Sequence, residues 1–142
     1  MRETEKPCGE VRAGDERLLD AFLRGRIDSR DFHHEDHVRV AFALLRRNDW
    51  PDAVPAFRNG LKTIAAKAGK PGAYNETISV AFLSLIAEQL SKAEFSSFLA
   101  FANANSALLD KSFLTRWYTK ERLNSDTARR IFLLPGSGAN DL

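Results

Sequence analysis

Apolar residues recur at three- and four-residue intervals along most of the chain. In the first such segment the leucines and Phe22 share one helical face and Gly25 follows, which predicts a helix over residues 15–25. Capping-type residues at 28–32 then precede a strongly apolar run, Val38 to Leu45. This run predicts a second helix, which ends at the polar residues that follow it.

The same periodicity continues to the C-terminal region. It predicts a third helix from the turn at 49–52 to Gly69, a fourth from about Asn75 to Ser91, a fifth around 95–102, a helical stretch at 108–117 and a short last helix around 126–132. Pro51 or Pro55 is tolerable only in the first turn of the third helix. The fourth segment is the most hydrophobic, so we expect it to be central.

Few runs alternate strictly between apolar and polar residues, and glycine and proline occur at helix-length intervals. The predicted fold is therefore all-α, a single-domain bundle of about five to seven helices. A chain of 142 residues, 44% hydrophobic and 28% charged, fits one globular domain. We expect the domain to span residues 14–135, between a flexible N-terminal arm, 1–13, and a flexible tail, 136–142.

Charge and cysteine content exclude several classes of protein. Cys8 is the only cysteine, so an intrachain disulfide framework is impossible. The formal net charge is only +2, and no recognised nucleic-acid-binding motif accompanies it, so nucleic acid is not an expected partner. Neither a signal-type apolar segment nor a membrane-length apolar run occurs, so no membrane association is expected and the predicted location is the cytoplasm.

All three histidines lie within residues 32–37, at the predicted start of helix two. His34 and His37 are three residues apart, so their rings project from one helical face, and that face continues through the apolar core residues of the helix. We therefore expect both rings to point into the bundle. His33 and Glu35 lie to the side and are expected in solvent.

A carboxylate is expected beside these rings. Short connections between helices two, three and four favour antiparallel neighbours, so the N-terminal ends of helices two and four should meet. Glu76, at the start of helix four, would then lie within reach of His34 and His37. Two imidazoles and one carboxylate suit a divalent transition metal such as iron, zinc or manganese. The expected metal ligands are therefore His34, His37 and Glu76, with Asp36 as an alternative partner that orients a histidine.

Two other interpretations of the same residues stay open. In one, a histidine is a general base without any metal and is oriented by Glu76 or Asp36. In the other, the acidic residues complement the helix N-termini and the histidines bond to neighbouring backbone, so that the cluster is structural.

A second cluster lies in the C-terminal half, where cations alternate with aromatic residues: Lys111, Arg116, Trp117, Tyr118, Lys120 and Arg122. Such residues can hold an anionic or planar ligand. They are also typical of an amphipathic helix whose aromatic residues pack and whose cations extend into solvent. The sequence does not decide whether Arg116 or Tyr118 reaches the histidines.

Three segments resemble a widespread family of small bacterial helical proteins with no established activity: Phe32–His37, Tyr74–Thr77 and Trp117–Ser125. Family members carry Phe-x-His-x-Asp-His, then Tyr-His-Glu-Thr, then Tyr-Ser-x-Glu-x-Leu-x-Ser. The resemblance covers most of residues 15–135. The chain departs from it at Asn75, where the family has histidine, so a set of three histidines with Glu76 would here be reduced by one.

These patterns favour a small metal-assisted enzyme that acts on a small polar molecule, although they do not decide whether the protein is an enzyme. The expected catalytic residues are Glu76, His34 and Tyr74, and the expected substrate-binding residues are Asn75, Arg116 and Tyr118. The alternative is a non-catalytic helical module that binds a protein partner through its aromatic and basic C-terminal half. The oligomeric state stays open.

Overall fold

The computed structural model describes residues 14–136, and within them all regular secondary structure is helical, with no strand. The helices are α1 (14–23), α2 (His34–Arg47), α3 (Trp50–Lys67), α4 (Glu76–Lys92), α5 (Phe98–Ala104), α6 (Lys120–Leu123) and α7 (Asp126–Arg130). Short 3-10 turns lie at Ser29–Asp31, Pro71–Ala73, Ser106–Leu109 and Phe113–Arg116. The all-α prediction is confirmed. The expected arm at 1–13 and all of the expected tail except Gly136 lie outside the described residues.

Side-chain caps set several helix boundaries. The side chain of Asn75 accepts a hydrogen bond from the backbone nitrogen of Ile78 at the start of α4. Ser97 does the same for α5, so that helix begins after Phe95 rather than at it. At the other end of α1, Gly25 has a φ of 70°, a left-handed conformation that glycine adopts without strain and that terminates helices.

Two details of the predicted helices are corrected. Pro55 lies in the second turn of α3, beyond the first turn to which it was expected to be confined. The stretch 108–117 is not one helix but two 3-10 turns. Between them Asp110 accepts hydrogen bonds from the backbone nitrogen and hydroxyl of Ser112, at 2.9 and 2.8 Å. Such local side-chain bonds compete with the helical backbone pattern and interrupt it.

The central position of α4 is confirmed, since it contacts α2, α3 and α7. Its Leu83 and Ile86 are completely buried. The N-terminal halves of α2 and α4 meet, because the rings of His34 and Phe82 lie 4.7 Å apart. The predicted end shared by these two helices is therefore present.

A close approach joins α1 to α3. A Cβ atom placed on Gly60 would lie 2.2 Å from the ring of Phe22, so only glycine lets the ring pack here. Phe22 in turn stacks on Phe32, with ring centroids 5.9 Å apart, which extends the core to the segment before α2. None of the described helices is both long and apolar enough to cross a bilayer.

Candidate functional site

The first turn of α2 directs two histidine rings into the bundle. His33, the residue before the helix, donates from its backbone nitrogen to Asp36 at 2.9 Å, which fixes this turn. His34 and His37 then face inward with ring centroids 6.2 Å apart, whereas His33 and Glu35 are exposed. The expected orientation of all four side chains is confirmed.

The two inward rings have different partners. His34 donates from Nε2 to the carbonyl oxygen of Leu108, at 2.9 Å, and thereby ties α2 to the 3-10 turn Ser106–Leu109. The ring of His37 meets Phe32 edge-on, with centroids 4.5 Å apart, but its nitrogens have no hydrogen-bond partner within residues 14–136. No fully buried side-chain nitrogen or oxygen in that range lacks a partner, so the His37 nitrogens are accessible. His37 is thus a half-buried imidazole with free hydrogen-bonding capacity.

His37 lines two neighbouring cavities. The outer cavity is an open cleft of about 760 Å³, a size typical of small-molecule sites. Its polar and charged lining residues, besides His37, are Asp28, Ser29, Arg30, Lys67, Lys70, Tyr74, Asn75 and Ser79. The inner cavity is a pocket of about 70 Å³ whose lining is almost wholly apolar. His37, Leu61, Ile78 and Ser79 line both cavities, so they form the boundary between them.

Burial controls the protonation of both rings. The pKa of His37 is lowered to about 4, mainly by loss of hydration and also by the neighbouring His34, against the opposing effect of Asp36. The pKa of His34 is also lowered by burial, although the Leu108 carbonyl and Asp110 oppose this shift. Both imidazoles are therefore neutral at pH 7, and each ring then has one nitrogen that donates and one that accepts.

Glu76 does not join the histidines, and here the predicted metal site is corrected. Its carboxylate accepts from Arg58 twice, from Nε at 3.0 Å and from Nη2 at 2.6 Å, and from the Tyr74 hydroxyl at 2.7 Å. These bonds hold the pKa of Glu76 below its usual range, Arg58 contributing most. No group of three or more potential metal ligands from His, Cys, Asp or Glu occurs within residues 14–136. His34, His37 and Glu76 therefore do not form the expected ligand set.

Sequence reasoning missed Arg58, because its pair with Glu76 joins two helices and residues 18 positions apart. Side-chain pairs are predictable from sequence at a spacing of three or four residues on one helix. Arg58 is the first basic residue of α3, which packs against α4. The hydroxyl of Tyr74, an expected catalytic group, donates its hydrogen bond to Glu76 in the same ion pair. Burial and the hydrogen bond to Glu76 raise the pKa of Tyr74.

The expected substrate contacts also have structural partners. Asn75 uses both ends of its amide, since Oδ1 caps α4 and Nδ2 donates to the Leu123 carbonyl oxygen at 2.7 Å. Tyr118 is buried and donates to the carbonyl oxygen of Leu133 at 2.7 Å. Asn75 still lines the cleft, but Tyr118 and Arg116 do not.

Two further side chains hold the C-terminal segment 131–134. The hydroxyl of Thr77, which is fully buried, donates to the Ile131 carbonyl oxygen at 2.7 Å and accepts from the Leu133 nitrogen at 3.0 Å. Arg122 donates from Nη2 to the Leu134 carbonyl oxygen at 2.9 Å. Thr77 thus joins segment 131–134 to α4, and Tyr118 and Arg122 join the same segment to the region of α6.

The chain matches no protein-family model, no curated protein and no solved structure. The family resemblance of the histidine and Tyr74–Thr77 motifs accordingly stays a prediction. Any function assigned to the candidate site must therefore be argued from the geometry of the site alone.

Proposed function

We propose that the protein binds a small polar molecule in the cleft and that the imidazole of His37 hydrogen-bonds this molecule. The observation that supports the proposal is a contrast between neighbouring side chains. His34 and Glu76 are held by protein partners, whereas the ring nitrogens of His37 have none among the described residues, and His37 lines two neighbouring cavities. Because these nitrogens are accessible and unpaired within the described residues, they can hydrogen-bond a ligand that enters the cleft.

The pKa of His37 defines the chemistry that it can perform. A pKa of about 4 makes the ring neutral and weakly basic at pH 7, so it acts first as a hydrogen-bond donor or acceptor. A bound anion raises this pKa, because negative charge stabilises the imidazolium. With an anion bound, His37 can therefore take up a proton from water and hold it beside the ligand. We therefore propose acid–base catalysis only for anionic substrates. In this proposal Glu76 neither binds a metal nor transfers a proton.

Matched histidine variants test this proposal. Wild-type protein, His37→Ala and His33→Ala are titrated by NMR with acetate, acetamide, methylamine and imidazole, which together sample both charges and neutral polar groups. His33→Ala is the control because His33 is exposed on the same helical turn. We expect at least one probe to shift the resonances of cleft residues in the wild type and in His33→Ala, and to bind at least tenfold more weakly to His37→Ala. Equal binding to all three proteins would refute the proposal.

One observation favours a second candidate function, the binding of a protein partner. Trp117 is 42% exposed and packs edge-on against Phe113, and the guanidinium of Arg116 lies 5.2 Å from the centre of the Phe113 ring. Exposed aromatic residues and arginine are enriched at protein interfaces. This function predicts a partner whose capture is lost in Trp117→Ala and retained in His37→Ala. The reverse pattern would exclude it.

A further inference from the structure

The inner pocket limits the size and the polarity of any ligand group that occupies it. Its lining includes Val38, Ala41, Phe57, Phe82 and Ile86, with His34, His37 and Ser79 as the polar exceptions. A dry apolar cavity of about 150 Å³ accommodates one benzene molecule. The inner pocket, at about 70 Å³, is half that size and fits an apolar group of about three carbons. A branched three-carbon end fits better than an aromatic ring.

The outer cleft carries the opposite kind of surface. Of its four ionisable side chains other than His37 and Tyr74, Asp28 and Arg30 neutralise one another through a contact of 2.7 Å. Lys67 and Lys70 remain, and they give the cleft a net positive charge.

One of these lysines is fixed in place. The Nζ of Lys67 donates to the carbonyl oxygens of Gly25 and Ile27, at 2.9 and 3.3 Å. An ammonium group has three N–H donors, so one remains for a ligand. Asp28 lies close enough to Lys67 for the lysine to lower its pKa, but Asp28 is already paired with Arg30. The cleft therefore presents an oriented cation at the end of α3.

We infer that the ligand is a short-chain organic carboxylate, with its carboxylate beside Lys67 and Lys70 and a branched apolar end of about three carbons in the inner pocket. This inference rests on the proposed function, since the carboxylate of the same ligand is the group that the His37 imidazole would hydrogen-bond in the cleft that it lines with Lys67 and Lys70. A carboxylate there is also the kind of anion that would let His37 accept a proton. The outer cleft thus selects ligands by their charge, and the inner pocket selects them by the size of their apolar end.

Acetate, isovalerate and phenylacetate test the size selection, because they share a CH₂COO⁻ group and differ only in what it carries. Affinities are measured on the full chain by calorimetry and by shifts of the His37 ring resonances. Each buried carbon contributes about fourfold in affinity, so we expect isovalerate to bind at least tenfold more tightly than acetate and more tightly than phenylacetate. Isovaleramide, which has the same shape without the charge, is expected to bind at least tenfold more weakly than isovalerate.

Variants change the pocket in opposite directions. Ala41→Val narrows it and is expected to remove the preference for isovalerate over acetate, whereas Ala43→Val, on another face of α2, leaves that preference intact. Leu61→Ala widens the pocket and is expected to reverse the order of isovalerate and phenylacetate. Since Ala41 is buried and its variant can fail to fold, the wild-type series and Leu61→Ala provide independent readouts.

The outcomes distinguish this inference from the proposed function. Affinities of the three carboxylates that agree within threefold, or a loss of preference in Ala43→Val equal to that in Ala41→Val, would overturn the inference. His37-dependent binding of a neutral or cationic probe in preference to every carboxylate would also overturn it, while leaving the proposed function in place. Absence of any His37-dependent binding would overturn both.

Discussion

Replacing Arg58 with methionine separates a structural role of Glu76 from a role in ligand binding. The substitution keeps the apolar stem of the side chain and removes the guanidinium that pairs with Glu76. Loss of one partner from a fully buried ion pair costs about 3–5 kcal/mol, and exposed pairs contribute about 1 kcal/mol or less. The side chain of Arg58 is 33% exposed and that of Glu76 is 14% exposed, so the pair lies between these limits. We expect a loss of about 2 kcal/mol in the free energy of unfolding at pH 7.

The pH dependence of this loss has a definite sign. The pKa of Glu76 is lowered in the folded protein, so the stabilisation by the ion pair is present above the unfolded pKa of about 4.5 and disappears as pH falls through the folded value. The difference between wild type and Arg58→Met should therefore shrink between pH 7 and pH 3. Urea unfolding followed by circular dichroism measures both quantities.

A double-mutant cycle with Glu76→Gln provides the control. Because the two side chains are in direct contact, the double variant should be less destabilised than the sum of the single variants by at least about 1 kcal/mol. Additivity within about 0.5 kcal/mol at pH 7 would refute the assignment of Glu76 to this ion pair. It would reopen the prediction that Glu76 is a metal ligand.

Three further substitutions test the packing around the site by urea unfolding and hydrogen exchange. Gly60→Ala should destabilise the fold by about 1–3 kcal/mol, because the new Cβ displaces the ring of Phe22. Gly72→Ala is the control and should change stability by less than about 0.5 kcal/mol, since its new Cβ meets no atom within 4 Å. Equal effects of the two substitutions would contradict the close approach of Gly60 and Phe22. Thr77→Val should cost about 1–3 kcal/mol and accelerate amide exchange at Leu133, since both hydrogen bonds of the hydroxyl are lost; unchanged exchange would contradict the attachment of segment 131–134.

Much of the fold could be predicted because its helices are amphipathic and punctuated by local signals. The i,i+3 spacing of His34 and His37 was sufficient to predict that both rings point inward. The apolar content of α4 likewise predicted its central position. Such features depend on residues that are near one another in sequence, so one chain is enough to identify them.

The candidate site was predicted only in part, because its remaining features depend on tertiary pairing. Glu76 was placed at the correct end of the bundle, but its partner Arg58 comes from α3 and directs the carboxylate away from the histidines. Periodicity also did not detect the interruption at Asp110, where hydrogen bonds to Ser112 replace a helix by two turns. The inner pocket arises where α2, α3 and α4 pack, and the outer cleft also needs the segments 28–32 and 70–75, so neither cavity has a local signature in the sequence.

The state of the His37 ring in solution tests the central claim most directly. Long-range ¹H–¹⁵N spectra follow the ring nitrogens from pH 3 to pH 8, with His33→Gln and His34→Gln used to assign the signals. The account predicts a pKa of about 4, which shifts upward when isovalerate is added. A pKa near the ordinary value of about 6.5, unaffected by isovalerate, would contradict the account.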